Sequence, residues 1–405
     1  MQIDCDFHIH SRYSGATSNK MSFETISTQA LLKGLDVIGS GDAMHPKWLA
    51  DMKRLTPHSE GIYELNGCKF VATVEVEDSR KVHHFILLPD ITAAEALRES
   101  LSRYSPNLDT DGRPNVRLTG SELIELVDDA DGMMGPSHAF VPWTSIYKEY
   151  ETLRECYGDG LQKVKFLELG LSADTYMADL VAELTDITFL SNSDAHSPWP
   201  HRLGREFNRL DVHSITFPEI RDAIERKHGN GIILNVGLDP RLGKYHRTAC
   251  IRCHAIYDFE EAKNLGWKCG ECRGPLKKGV RDRISELASY DAPKHPPHRP
   301  EYLRIAPLAE ILTLAFKRQI YSAQVQEAWS SLVENSGSEI AVLVDAPRET
   351  IEGVAGEIVA ELVMSFRDGN FGIIEGGGGK YGEIIFGKKR RPADKSQTKL
   401  DAFSR

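Results

Sequence analysis

Six short apolar runs, at 3–7, 37–39, 70–76, 85–88, 166–169 and 188–190, each lie beside a histidine or an acid. His8-Ile9-His10 follows the first run, Asp42 and His45 follow the second, and Glu75 closes the third. His83-His84 opens the fourth, and His138 stands in Gly135-Pro-Ser-His138 after a further run. Glu168 closes the run at 166–169, and Asp194-Ala-His196 follows the last. Runs this short read as strands, and the amphipathic stretches between them read as helices. Thr92-x-x-Glu95 and Thr119-x-x-Glu122 fit capping boxes, Ser172 fits a cap for 173–184, and Pro218 fits the opening of 219–227. Strand–helix alternation over residues 1–235 argues for an α/β barrel or a doubly wound sheet. A barrel gathers the carboxyl ends of its strands at one mouth, so these ligands would converge.

If the first strand continues, His8 and His10 point the same way and both imidazoles reach one ion. Glu75, His138, Glu168, Asp194 and His196, with Asp42 and His45, add more ligands than one four-coordinate ion needs. The set suits two or three divalent ions, zinc first, with manganese or magnesium as alternatives. Of the adjacent His83 and His84 only one can face inward, and the reading favours His84. A divalent ion brings the pKa of its bound water to about 7, so His8, His10, Asp194 and His196 are the expected catalytic core of a phosphoester hydrolase.

Cys250-x2-Cys253, 15 residues, then Cys269-x2-Cys272 has the spacing of a zinc ribbon. Four thiolates close a tetrahedron, so that zinc is structural. Cys5, Cys68 and Cys156 are scattered and read as small buried hydrophobes. The chain has 405 residues, room for two or three domains, and a net charge of −10. That average hides a basic segment: residues 241–300 hold 13 Lys/Arg against seven Asp/Glu. Arg252, Lys268, Arg273, Lys277 and Lys278 around the cysteines therefore fit a DNA backbone. A Pro/His/Arg-rich linker at 293–300 precedes helical patterns at 306–316, 323–334 and 350–366. The runs 371–375 and 383–386 flank a glycine loop, and the polar residues beyond 388 are expected to be disordered. With no apolar stretch near the ~18 residues of a membrane span and no signal-peptide pattern, the chain is expected to be cytoplasmic, near the nucleoid, without a membrane partner.

The order His-x-His, Asp with His, Glu, His, His, Asp-x-His resembles the PHP (polymerase and histidinol phosphatase) superfamily over residues 1 to about 235. The resemblance implies a distorted (β/α)7 barrel that binds three metal ions and hydrolyses phosphoesters. This chain departs in reading Asp42-Ala-Met-His45 where Asp-His is usual, and Ser14-Gly15-Ala16 where an acid is common. Near the C-terminus, Gln397, Leu400 and Phe403 in Gln397-Thr-Lys-Leu400-Asp-Ala-Phe403 resemble the peptide that docks on the PCNA sliding clamp. Barrel, ribbon, linker, helical region, glycine loop and clamp peptide together resemble the endonuclease Q family. That resemblance implies a barrel at 1–238, a zinc ribbon at 239–292, a helical DNA-binding domain at 293–387 and a tail at 388–405. It also implies nicking of single- or double-stranded DNA 5′ of uracil, hypoxanthine, xanthine and abasic sites, leaving 3′-hydroxyl and 5′-phosphate ends. Gly170 and Ser172 are candidate walls for a flipped base, and Trp143, Tyr147, Trp199 and Tyr381 candidate stacking partners. A small-molecule phosphatase and a non-catalytic lesion-binding protein are the alternatives.

Overall fold

The computed structural model describes residues 1–385, so the clamp-like Gln397, Leu400 and Phe403 lie outside the described residues. The molecule is a mixed α/β fold with a long pairing path of short strands. Gln2–Asp6 pairs parallel with Val37–Gly39, and that strand pairs parallel with Cys68–Glu77. Cys68–Glu77 then pairs antiparallel with His83–Leu88, which pairs antiparallel with Met133–Pro136. Phe166–Glu168 pairs parallel with Thr188–Leu190. Backbone bonds join these two sets: Ala139 N–H donates to Glu168 O, and Ile9 bridges Ala195 in parallel. The path thus returns to its first strand. The antiparallel pairs depart from an all-parallel pattern because residues 78–82 alone connect Glu77 to His83, too few for a crossover helix.

Strand parity sorts the core into two layers. Ile3, Cys5, Phe7, Val71, Phe85, Leu87, Phe166 and Leu190 fill one cluster, while Phe70, Val74, Val76, Ile86 and Leu88 join the larger one under the helices. Helix starts follow local chemistry. Thr119 and Glu122 form the expected capping box of Gly120–Asp129. Ile91–Leu101 is instead capped by Asp90, whose carboxylate accepts from Ala93 N–H, so Thr92 lies inside the helix. The stretch expected as one helix at 173–184 is a single turn, Thr175–Ala178, capped by Asp174, followed by the 3-10 turn Ala182–Leu184.

Three strands not expected from the sequence extend the sheet beyond Gln2–Asp6: Phe207–Asp211, Gly231–Leu238 and Glu301–Ile305. The helices Leu308–Phe316, Ala323–Ser336, Arg348–Ala355 and Glu357–Arg367 share the larger core cluster with the strands. Gly356, at φ 88°, divides what the pattern at 350–366 reads as one helix. A buried ion pair, Lys33 Nζ to Glu339 Oε1 at 2.7 Å, ties the first helix to this region. Among the described residues no helix is long and apolar enough to cross a membrane.

Candidate metal centre

The strand Gln2–Asp6 stops before the histidines, yet His8 and His10 still meet, their ring centroids 5.1 Å apart. Each ring is held from behind. His8 Nδ1 donates to Glu168 Oε2 at 2.8 Å, and His10 Nδ1 donates to Asp42 Oδ1 at 3.2 Å. Glu168 also accepts from Asn192 Nδ2 at 2.6 Å, and Asp42 from Ser11 N–H at 2.7 Å and Ser14 Oγ at 2.9 Å. A carboxylate on Nδ1 fixes the tautomer that leaves Nε2 free as a ligand. Asp42 and Glu168, expected as ligands, stand behind the rings here, each oxygen accepting hydrogen bonds from the protein.

The freed atoms face one another. His10 Nε2 lies 3.2 Å from Asp194 Oδ1 and 3.5 Å from Glu75 Oε2, and His8 Nε2 lies 3.7 Å from Glu75 Oε1. His8 Nε2, His10 Nε2 and Asp194 Oδ1 are buried and make no hydrogen bond. Burial alone would depress both imidazoles, but Glu168 and Glu75 raise His8 to about 9, and Asp194 and Asp42 raise His10 to about 10. Despite its own burial, Asp194 is held well below the usual carboxylate range by the same rings. A cluster that holds imidazoles protonated above neutral pH lacks positive charge, which divalent ions on nitrogen and oxygen ligands would supply. The residues fit the metals expected of them.

Three groups of potential ligands overlap here: His8, His10 and Glu75; His10, Asp194 and His196; and Glu75, His83 and His138. The structure corrects the choice at 83–84. His83 Nδ1 lies 3.1 Å from Glu75 Oε1 and 3.3 Å from His138 Nε2, inside the cluster. His84 faces the other way, with Nε2 on Asp78 Oδ2 at 3.1 Å and Nδ1 on the Tyr157 hydroxyl at 2.9 Å. Register explains it. Glu75 opposes Phe85 and Glu77 opposes His83, so these four share a face, while His84 opposes Val76 on the other. His45 is also outside the three overlapping groups: it stands at the N-cap position of the helix Pro46–Met52 without a side-chain bond there, and its ring stacks on Tyr13, centroids 4.3 Å apart.

The backbone is bent to make this site. Asp42, His138 and Asp194 have φ of 49°, 28° and 47°, conformations that cost side-chain-bearing residues about 1–3 kcal/mol each. Gly170 permits one close approach, since a Cβ there would lie 2.6 Å from His138 Cβ. The loop bearing Asp194 is anchored by Asp6, which accepts from Ser193 N–H and Gly204 N–H, both at 3.0 Å. Asn192 accepts from Phe7 N–H at 3.0 Å and Asn208 Nδ2 at 3.1 Å. Ser11, Ser14, Asn192 and Arg113, whose Nη1 donates to Glu75 Oε2 at 3.3 Å, are residues of the site that no pattern in the sequence assigns to it, whereas the sequence reading includes His83 as the alternative to the favoured His84.

The four cysteines also converge, with Cys250 Sγ 3.5 Å from Cys272 Sγ and Cys253 Sγ 3.5 Å from Cys269 Sγ. The strands Ala249–Cys250 and Leu276–Lys277 pair antiparallel beneath them. The Tyr257 hydroxyl lies 3.1 Å from Cys269 Sγ and lowers that thiol to about 6. Arg252, Lys268 and Arg273 are exposed. Lys278 is paired with Glu286, and Lys277 donates to Pro142 O and lies over the exposed Trp143 ring. Trp199 and Tyr381 are exposed as well, whereas Tyr147 is core, its hydroxyl donating to Glu183. Ser172 is half-buried with Gly243 against its hydroxyl. The glycine loop is docked rather than open: a Cβ on Gly378 would lie 2.3 Å from Cys250 O.

Residues 307–370 match the family model described as the MJ0043 C-terminal domain. The chain is 44% identical over 288 residues to protein MJ0043 of Methanocaldococcus jannaschii, covering 69% of this chain but only 36% of that protein's length. The crystal structure of the lesion-specific endonuclease PfuEndoQ from Pyrococcus furiosus is 50% identical, with a TM-score of 0.92 and 95% of each chain covered. A structure of endonuclease Q complexed with a 27-mer duplex substrate carrying an abasic lesion at the active site is also 50% identical, at a TM-score of 0.90, covering 95% of this chain and 96% of that one. Half of all residues shared across nearly the full length of both chains, on one backbone, makes this chain a member of the endonuclease Q family.

Proposed function

We infer that this chain is a metal-dependent DNA repair endonuclease, hydrolysing the phosphodiester 5′ of deaminated bases (uracil, hypoxanthine, xanthine) and of abasic sites, and leaving 3′-hydroxyl and 5′-phosphate ends. The observation that carries the reading is the set of buried, partnerless atoms on His8, His10 and Asp194 aimed at one another beside Glu75, in a chain half identical to lesion-specific endonucleases. The strand path reads as a distorted (β/α)7 barrel of PHP type at 1–238, followed by a zinc ribbon at 239–292 and a helical DNA-binding region at 293–387.

His8, His10, Glu75, His83, His138, Asp194 and His196 would hold two or three divalent ions, and the cysteines one structural zinc. Ions bound at the histidines would supply Lewis-acid charge at phosphorus and activate water at neutral pH. The protein's own contribution is orientation. Glu168 and Asp42 hold the two imidazoles, and Phe85 stacks beneath His8, centroids 4.8 Å apart, closing that side to water. Trp143 and Tyr381, exposed near the basic ribbon, would stack on DNA, and Gly170 and Ser172 would line the pocket for a base taken out of the helix. Gln397, Leu400 and Phe403 would dock on a sliding clamp.

The test is incision of end-labelled duplexes carrying one uracil, one hypoxanthine, one abasic site or none. The reading expects one metal-dependent nick immediately 5′ of each lesion, extendable by a polymerase from its 3′-hydroxyl and, at uracil, resealable directly by ligase through its 5′-phosphate. Equal cutting of the undamaged duplex, or turnover of small phosphomonoesters alone, would overturn it.

A further inference from the structure

The loop at 102–119 reaches the metal centre and is pinned by its backbone on both sides. Gly112 N–H donates to Tyr13 O at 3.0 Å, Glu77 N–H to Pro114 O at 3.0 Å, and Val116 N–H to Glu77 O at 2.8 Å. The Asn107 side chain accepts from Asn115 N–H at 2.9 Å and donates back to Asn115 Oδ1 at 2.8 Å. Gly112 is required, because a Cβ there would lie 2.1 Å from Asp42 Oδ2. Arg113 is thus fixed between two anchors. Its Nη1 donates to Glu75 Oε2 at 3.3 Å. Glu75 is wholly buried, whereas the Arg113 side chain keeps 30% of its surface. No other donor of that guanidinium has a protein partner among the described residues.

A guanidinium that only braced Glu75 would have no reason to keep its remaining donors toward solvent at the mouth of an anion-cutting site. Its planar fork matches two phosphate oxygens, and its charge does not vary with pH. We propose that Arg113 binds a non-bridging oxygen of the scissile phosphate and offsets the charge that builds there in the transition state. The inference rests on the nuclease reading. In that hydrolysis, water forms the new oxygen–phosphorus bond and the P–O3′ bond breaks. One proton of the water ends on O3′, and Arg113 exchanges none.

Single-turnover cleavage at saturating lesion duplex, with metal content measured in parallel, tests this. Arg113→Ala should cut about 100-fold more slowly, the scale of losing one transition-state donor, with metal content and duplex affinity nearly unchanged. Arg113→Lys, which keeps charge but loses the fork, should fall between. A phosphorothioate at the scissile position should slow the unaltered protein more than Arg113→Ala, since the variant no longer reads that oxygen. Cleavage by Arg113→Ala within threefold of the unaltered protein would overturn the proposal. So would loss of metal with loss of activity, which would make Arg113 a brace for Glu75. Absence of cleavage by the unaltered protein would overturn the nuclease reading itself, a result visible before any variant is compared.

Discussion

Residues 8 to 196 supply the histidine centre, whereas residues 250 to 272 supply the cysteine cluster. The cysteines sit on one short segment with one two-stranded ladder beneath them, and their sulfurs have only each other to face. The seven histidines and carboxylates come from five separate places in the chain. They need orienting acids, an asparagine network and three residues with positive φ to meet. A closed sulfur site folds its own surroundings; a mixed nitrogen and oxygen site is folded by its surroundings and keeps positions open for chemistry. The strain at Asp42, His138 and Asp194 is what a binding geometry imposed from outside costs.

The comparison breaks hardest at Asp194. Asp194→Ala should lower lesion cleavage by more than about 10³-fold, measured as single-turnover rate, while zinc on the cysteines is retained. The next effect separates neighbours. His83→Ala should cost about 10–100-fold in metal affinity or cleavage. His84→Ala should leave cleavage within a few-fold and instead lower stability by about 1–3 kcal/mol, because Asp78 and the Tyr157 hydroxyl lose a buried partner. Equal metal loss in both variants would overturn the strand-face assignment. Cys253→Ser should release one zinc per chain and weaken duplex affinity several-fold, with the chemical step on bound duplex nearly unchanged; a single-turnover rate at saturating DNA checks it.

The smallest effect concerns pH. Burial pushes Glu206 up to about 8 from an ordinary value of 4.5. Its folded-state value is raised, so its contribution to stability is complete below pH 4.5 and is lost as pH rises through about 8. Glu206→Gln should therefore flatten the fall in Tm between about pH 5 and pH 8; parallel Tm curves for the two proteins would contradict this.

Much of this was legible in the residues because the signals are local. The cysteine spacing needs no fold to interpret it, and the strand 37–39 and the Thr119 capping box appear as read. His8, His10, Glu75, His138, Asp194 and His196 are brought together as expected. What could not be read depended on pairing. Choosing His83 over His84 requires knowing that Cys68–Glu77 and His83–Leu88 are antiparallel with Glu75 opposite Phe85. That Asp42 and Glu168 hold the rings of His10 and His8 from behind could not be read from the strand ends they follow. Arg113 lies in a loop with no periodicity, held where Gly112 packs on Asp42 and paired with Glu75, 38 residues earlier in the chain.

The central claim is that the histidine centre cuts DNA and the cysteine cluster does not. Its most direct test strips the protein of metal, restores zinc to the cysteines, and then titrates manganese while following incision of an abasic-site duplex and bound metal together. The account predicts that incision returns only as the second class of ions fills, and never in Asp194→Ala. Incision by Asp194→Ala at the unaltered rate, or full incision with the cysteine zinc alone, would contradict it.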